Sequence, residues 1–139
     1  MIRLSENRLK IAIQKSGRLT DQTIDLLRRS GLEFEAYGER LFSSCSNFPL
    51  EILFLRDDDI PEYVQDGVCD LGIVGRNVTE ECSAKVEVLE SLGFGRCRLC
   101  IAVPKDALTR HLKDLKGMRI ATSYPVILNR FLEEQGIRA

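Results

Sequence analysis

Apolar residues in this chain come in short runs punctuated by glycine and proline, and the spacing within the runs alternates between two periods. Leu9-Lys10-Ile11-Ala12-Ile13 is a run of strand length, broken by Gly17. From Thr20 the spacing changes. Ile24, Leu26 and Leu27 form an apolar stripe, Asp21 lies in the first turn, Arg28 and Arg29 in the last, and Gly31 follows. This is the signature of a helix with Thr20 as its N-cap and with charges that complement its dipole. The same alternation continues. Residues 32–36 and 40–43 read as two short strands around the turn Tyr37-Gly38, and Glu51 to Leu55 as a buried strand. A short helix then opens after Asp57–Asp59, with Pro61 near its start and Gly67 at its end.

Further along, Asp70-Leu71-Gly72-Ile73-Val74-Gly75 reads as a buried strand, and Asn77 caps a brief helix through Cys82. Lys85 to Leu89 alternates as a strand does. After the break at Gly93 and Gly95, Arg98 to Val103 forms another strand, stopped by Pro104. A weakly helical stretch spans Ala107 to Leu115, a strand covers Met118 to Thr122, and a helix begins at Pro125 and ends at Gly136. Ile137-Arg138-Ala139 reads as the start of one more strand, so the chain is expected to be truncated. Strands alternating with helices predict an α/β protein with a mainly parallel sheet.

Composition narrows the function without naming it. The 139 residues are 44% hydrophobic, enough for a core, and 20 basic against 21 acidic residues leave a net charge of -1. That balance argues against bulk binding to nucleic acid or a membrane surface. No apolar run approaches the roughly 20 residues of a membrane span, and Met1 to Lys10 lacks the pattern of a signal peptide, so the expected compartment is the cytoplasm. Five cysteines, Cys45, Cys69, Cys82, Cys97 and Cys100, form an odd set expected to be free thiols. The pair Cys97/Cys100 has C-x-x-C spacing, but no second pair or histidine completes a metal site. His111 is the lone histidine, so a Ser-His-Asp or Cys-His mechanism has little support.

Ligands of open α/β sheets bind beyond the carboxyl ends of the strands. Four segments put polar chemistry at such ends. In Gln14-Lys15-Ser16-Gly17-Arg18, two cations flank a glycine ahead of a helix N-terminus, which fits either a phosphate-binding turn or a solvated one. Arg56-Asp57-Asp58-Asp59 offers either a cation site or an acidic helix start, with Arg56 near enough to partner one of the acids. In Asp70 to Gly75 the glycines mark close backbone approach, to a ligand or to a helix. Ala121-Thr122-Ser123-Tyr124-Pro125 carries hydroxyls and an aromatic ring at a helix start, fit for phosphate, ribose and base or for ordinary capping.

Taken in order, RLKIAIQKSGRL from Arg8, RDDDIPEYVQDGVCDLGIVGRN from Arg56, GRCRLCIAVP from Gly95 and RIATSYP from Arg119 resemble the ATP phosphoribosyltransferase family, in its long form. The resemblance implies a two-lobed core like type II periplasmic binding proteins, with residues 1–95 in the first lobe and 96–139 opening a second, truncated lobe. It implies a glycosyltransferase that condenses ATP with 5-phosphoribosyl 1-diphosphate at the first step of histidine biosynthesis, with Mg2+ accompanying the diphosphate substrate. Lys15, Gly17 and Arg18 would border the nucleotide and phosphate cleft, Arg56, Asp70 and Gly72 would line the first lobe, and Tyr124 would face the cleft from the second. No residue is assigned as a covalent catalyst or a metal ligand. Family members assemble as dimers or hexamers. They also continue into a phosphoribosyl-diphosphate loop, a return segment and a regulatory domain that this sequence lacks. An inactive fragment or a small-ligand-binding module of the same fold is the alternative.

Overall fold

A computed structural model of the chain describes residues 7–36, 38 and 40–139. They fall into two compact units, residues 1–96 and 97–139. In the first, β1 (Leu9–Gln14) is followed by α1 (Thr20–Arg29), β2 (Phe42–Ser44), β3 (Leu50–Leu55), α2 (Ile60–Gln65), β4 (Leu71–Gly72) and α3 (Arg76–Cys82). The sheet order is β2-β3-β1-β4. β1 pairs in parallel with β3 from Leu9↔Leu50 to Gln14↔Leu55, and with β4 through Ile11↔Leu71 and Ala12↔Gly72. β2 is an antiparallel edge strand on β3.

β1 is central, and Ile11 to Gln14 are all buried. Its two faces serve different helices. Ile11 and Ile13 join Ile52, Phe54 and Leu50 in one cluster that α1 covers with Ile24 and Leu27. Ala12 and Leu53 pack on the other face against Ile60, Tyr63 and Val64 of α2 and against Cys69. A strand buried on both sides reads as a continuous apolar run, which is how Ile11–Ile13 and Ile52–Leu55 are written. Full burial of a side chain such as Ile13 or Ile52 contributes about 1.5–3 kcal/mol. At the amino edge, the Leu9 N–H donates to the Pro49 carbonyl at 3.0 Å, and the Arg8 guanidinium donates to the carbonyls of Cys45 and Phe48 at 2.8 and 3.2 Å.

In the second unit, a 3-10 turn over Leu112–Leu115 precedes α4 (Pro125–Glu134). Leu115 and Leu132 are its buried apolar residues, and the Gly117 N–H donates to the Arg138 carbonyl at 2.8 Å. His111 is exposed and leads into the 3-10 turn. The Asp114 carboxylate accepts the N–H groups of Arg110 and His111, each at 2.9 Å, and these two bonds hold its pKa below the usual carboxylate value. Among the described residues, no helix is long and apolar enough to cross a membrane.

Several predicted strands are absent. Residues 85–89, 98–103 and 118–122 have the apolar pattern of strands but join no ladder among the described residues. A strand exists through hydrogen bonds to a neighbour, and an apolar pattern does not supply one. Val88, Leu89, Leu99 and Val103 are accordingly exposed. Residues 137–139 form no strand, and the strand expected over residues 70–75 shrinks to Leu71–Gly72. Residues 32–36 are not a strand either; Leu32, Phe34 and Ala36 instead pack on the α1-covered core. Tyr37, half of the expected turn, lies outside the described residues.

Gly72 shows why α2 lies so close to the sheet. A Cβ there would stand 2.7 Å from Ile60 Cγ2 and 3.1 Å from Val64 Cγ2, both methyl groups of β-branched side chains on the helix. Gly72→Ala is therefore expected to force α2 away from β4 and cost about 1–3 kcal/mol, as overpacking typically does. Urea unfolding followed by circular dichroism checks this, and an unchanged midpoint would contradict the packing described.

Candidate functional site

Because β1, β3 and β4 run in parallel, their carboxyl ends open on one edge of the first unit. The Lys15 N–H donates to the Leu55 carbonyl at 2.7 Å, which ties the exit of β1 to that of β3. The chain then turns through Lys15, Ser16, Gly17 and Arg18, all exposed. The Lys15 and Arg18 side chains make no ion pair or hydrogen bond among the described residues. Gly17 has φ +146°, a conformation that only glycine adopts without strain.

Two contacts with Gln14 shape this turn. The Leu19 N–H donates to Gln14 Oε1 at 3.1 Å, and the Thr20 hydroxyl donates to the Gln14 carbonyl at 3.2 Å. Thr20 was expected as the N-cap of α1. It is instead the first helical residue, since its hydroxyl is drawn back to β1, and Leu19 holds the cap position without a side-chain cap. The sequence signal for Gln14 was only its place at a strand end.

Arg56 leaves β3 on the same edge. Its Nε lies 4.0 Å from Asp59 Oδ2 with both side chains well exposed, a pairing of the kind that contributes at most about 1 kcal/mol. Asp57–Asp59 form a 3-10 turn leading into α2, and no group of three metal-ligating side chains converges among the described residues. The acids act here as a helix start.

Beyond β4, the Ile73 N–H donates to the Ala12 carbonyl at 2.9 Å, and the chain reaches Gly75 at the start of α3. Asn77 was expected as the cap; the cap position is instead held by Gly75, two residues earlier, and the helix begins at Arg76. A Cβ on Gly75 would meet Asn77 Oδ1 at 2.5 Å and Leu19 Cδ1 at 3.9 Å, and one on Gly95 would fall directly on Leu19 Cδ2. Leu19 is thus the point where the exits of β1 and β4 and the Gly93–Gly95 segment meet. Each approach is made by a glycine, which was the only signal in the sequence for Gly75 and Gly95.

The remaining candidates lie elsewhere. The Asp70 carboxylate accepts the Lys10 N–H at 2.8 Å while the Asp70 N–H donates to the Lys10 carbonyl at 2.9 Å, so Asp70 clamps the amino-terminal half of β1. Gly72 sits beneath α2. Tyr124 belongs to the second unit, half-buried ahead of Pro125, with its N–H donated to Thr122 Oγ1 at 2.9 Å and its carbonyl accepting the Leu128 N–H at 3.0 Å. The structure therefore gathers Lys15, Gly17, Arg18 and Arg56 on one edge, and gives Asp70 and Gly72 work in holding the sheet together.

All five cysteines are free thiols. Burial pushes the Cys69 thiol above its ordinary pKa, with the Asp70 carboxylate adding to the rise and Lys10 opposing it. Burial likewise raises Cys45, against the pull of Arg8. Cys82 is exposed yet raised, by desolvation and by the neighbouring Asp58 carboxylate, and Cys97 and Cys100 are exposed.

Comparison with known proteins gives a consistent result. A protein-family model described as ATP phosphoribosyltransferase matches residues 56–139. Curated relatives of that name include one from Cytophaga hutchinsonii, 54% identical, and one from Bacteroides thetaiotaomicron, 48% identical, each over 131 residues. Both alignments cover 94% of this chain but 46% of the relative, so the chain spans just under half the length of these proteins. Among solved structures, an ATP phosphoribosyl transferase (HisG:HisZ) complex from Thermotoga maritima shares the fold. Its TM-score is 0.64 at 24% identity, covering 93% of this chain and 60% of that one.

The thiol environments predict an order of reactivity. Since the thiolate is the nucleophile, a raised pKa slows alkylation at neutral pH. Cys97 and Cys100 should react first with a maleimide, Cys82 more slowly, and Cys45 and Cys69 only on unfolding, as followed by peptide mass spectrometry. Rapid labelling of Cys69 in the folded protein would contradict its buried place between α2 and the sheet.

Proposed function

The chain belongs to the ATP phosphoribosyltransferase family, and from that premise we propose that it supplies the phosphate-binding edge of an enzyme condensing ATP with 5-phosphoribosyl 1-diphosphate. The products are N1-(5-phosphoribosyl)-ATP and diphosphate, at the first step of L-histidine biosynthesis in the cytoplasm. The observation that carries this reading is the convergence of Lys15, Arg18 and Arg56 on the carboxyl edge of three parallel strands, with Lys15 and Arg18 making no protein partners among the described residues.

In the reaction, the adenine N1 lone pair forms a bond to the ribose C1, and the electrons of the breaking C1–O bond depart with diphosphate. Such a step needs two things from the protein: alignment of nucleophile and carbon, and stabilisation of charge on the leaving group. Lys15 and Arg18 are suited to the second. Gly17 has no side chain to block a phosphate, and the start of α1 presents N–H groups toward an anion. Arg56 adds a third cation, held only loosely by Asp59. Tyr124 offers its ring as a stacking surface for adenine. Asp70, bonded to the Lys10 N–H, and Gly72, packed against α2, hold in place the strands that carry this edge.

Mg2+ would enter as the complex of the diphosphate substrate. The described residues do not fit an all-protein magnesium cage, and this ion ordinarily binds through substrate phosphates and water. We read the fold as the type II periplasmic-binding-protein-like core, and the full enzyme as a homo-oligomer, a dimer or hexamer.

The decisive experiment incubates ATP, 5-phosphoribosyl 1-diphosphate and Mg2+ with this chain, and with a version extended to the length of its relatives, and looks for phosphoribosyl-ATP by mass. Absence of product from a folded, extended protein would sink the reading. Lys15→Ala and Arg18→Ala should each weaken binding of ATP or inorganic diphosphate by about 1.5–3 kcal/mol, tenfold or more, by titration calorimetry. Both side chains are exposed, so thermal unfolding should hardly move.

A further inference from the structure

We propose that Gln14 is a positioning residue that sets the shape of the Lys15–Arg18 turn and so the aim of its cations. The ligand half of this inference rests on the function proposed above; the structural half does not.

Gln14 is the last residue of the central strand and is 9% exposed, while the four residues after it are exposed. It grips the far end of the turn at two adjacent residues. Its side-chain oxygen takes the Leu19 N–H at 3.1 Å, and its main-chain oxygen takes the Thr20 hydroxyl at 3.2 Å. Its carboxamide also fills the space under Gly17. A Cβ there would stand 2.6 Å from Gln14 Cδ and 2.8 Å from Oε1. The absent side chain at 17 and the long amide at 14 are therefore one device, with the turn wrapped over the amide.

The residue type follows from what the position must do. An apolar side chain of the same size would pack but leave the Leu19 N–H without its acceptor. A carboxylate would accept that N–H but put a negative charge beneath two cations meant for an anion. A carboxamide accepts the bond and stays neutral. Because Gln14 closes the turn, Lys15 and Arg18 are not needed to hold it, and neither is used for that purpose among the described residues.

The test uses Gln14→Met, which keeps the length and loses the acceptor, and Gln14→Glu, which keeps an acceptor oxygen. Amide hydrogen exchange by NMR reads the turn, and titration with inorganic diphosphate reads the ligand. In Gln14→Met, exchange at Leu19 should rise while Ile52 and Phe54 in β3 stay protected. Diphosphate affinity should fall roughly two- to tenfold, the worth of one ordinary hydrogen bond. Gln14→Glu should restore protection at Leu19 yet still bind diphosphate weakly, which separates turn order from charge. Unchanged exchange at Leu19 in Gln14→Met overturns the proposal, as does an equal loss of protection across β3, which would mark a merely structural residue. Loss of protection at Leu19 with full diphosphate affinity overturns the positioning of the cations. If the wild-type chain shows the exchange pattern but binds no diphosphate, the function proposed above fails and the role of Gln14 in the turn stands.

Discussion

The parallel pairing of β1 with β3 on one side and β4 on the other constrains everything else in the first unit. Parallel neighbours cannot be joined by a tight hairpin, so the chain must cross over the sheet between them, and helices are the usual way to do so. The pairing also sets side-chain sizes. Ile11 and Ile13 point to the α1 face, where there is room for large residues. Ala12 points to the α2 face and pairs with Gly72, so two small residues lie side by side where α2 comes closest. A slip of one residue in β1 would exchange these sets, putting isoleucine under α2 and small or polar residues against α1. The register is thus fixed from both faces, and with it the level at which β1 ends and its turn begins.

Where the sequence was informative, it was so because local physics and tertiary context agreed. α1 and α4 carry their own start and stop signals, and β1 and β3 are apolar on both faces because both faces are covered. The pattern misled at residues 85–89, 98–103 and 118–122, since a strand depends on a partner that no local pattern encodes. It also misled at Thr20 for a specific reason. As an N-cap its hydroxyl oxygen would accept an N–H of its own helix, but the hydroxyl instead donates to the Gln14 carbonyl, fixed at the end of the buried strand.

The candidate site was legible in kind but not in full membership. Lys15, Gly17 and Arg18 stand in a glycine turn after a strand, a signal that survives without coordinates. Asp70 reads from sequence much as a site carboxylate would, yet its hydrogen bonds to Lys10 make it a clamp on β1. Polarity at a strand does not say which end of the strand it serves. Gln14, Gly75 and Gly95 went the other way. Their importance lies in distances to residues remote in sequence, such as Leu19, and no spacing rule reveals those.

This separation between residues that hold the edge and residues that face outward has a physical logic. A cation that also braces its own loop must give up protein contacts before it can meet an anion, and the cost of breaking them reduces what the ligand gains. At this edge the bracing falls to neutral groups: the Gln14 amide, the main chain of Lys15 and Leu55, and the packing of two glycines on Leu19. Lys15 and Arg18 keep their hydrogen-bonding capacity for what comes from outside. The same arrangement goes with their exposure, because the turn is closed by groups other than their side chains. On the function proposed above, an edge organised in this way would meet a phosphate without first having to order a loop.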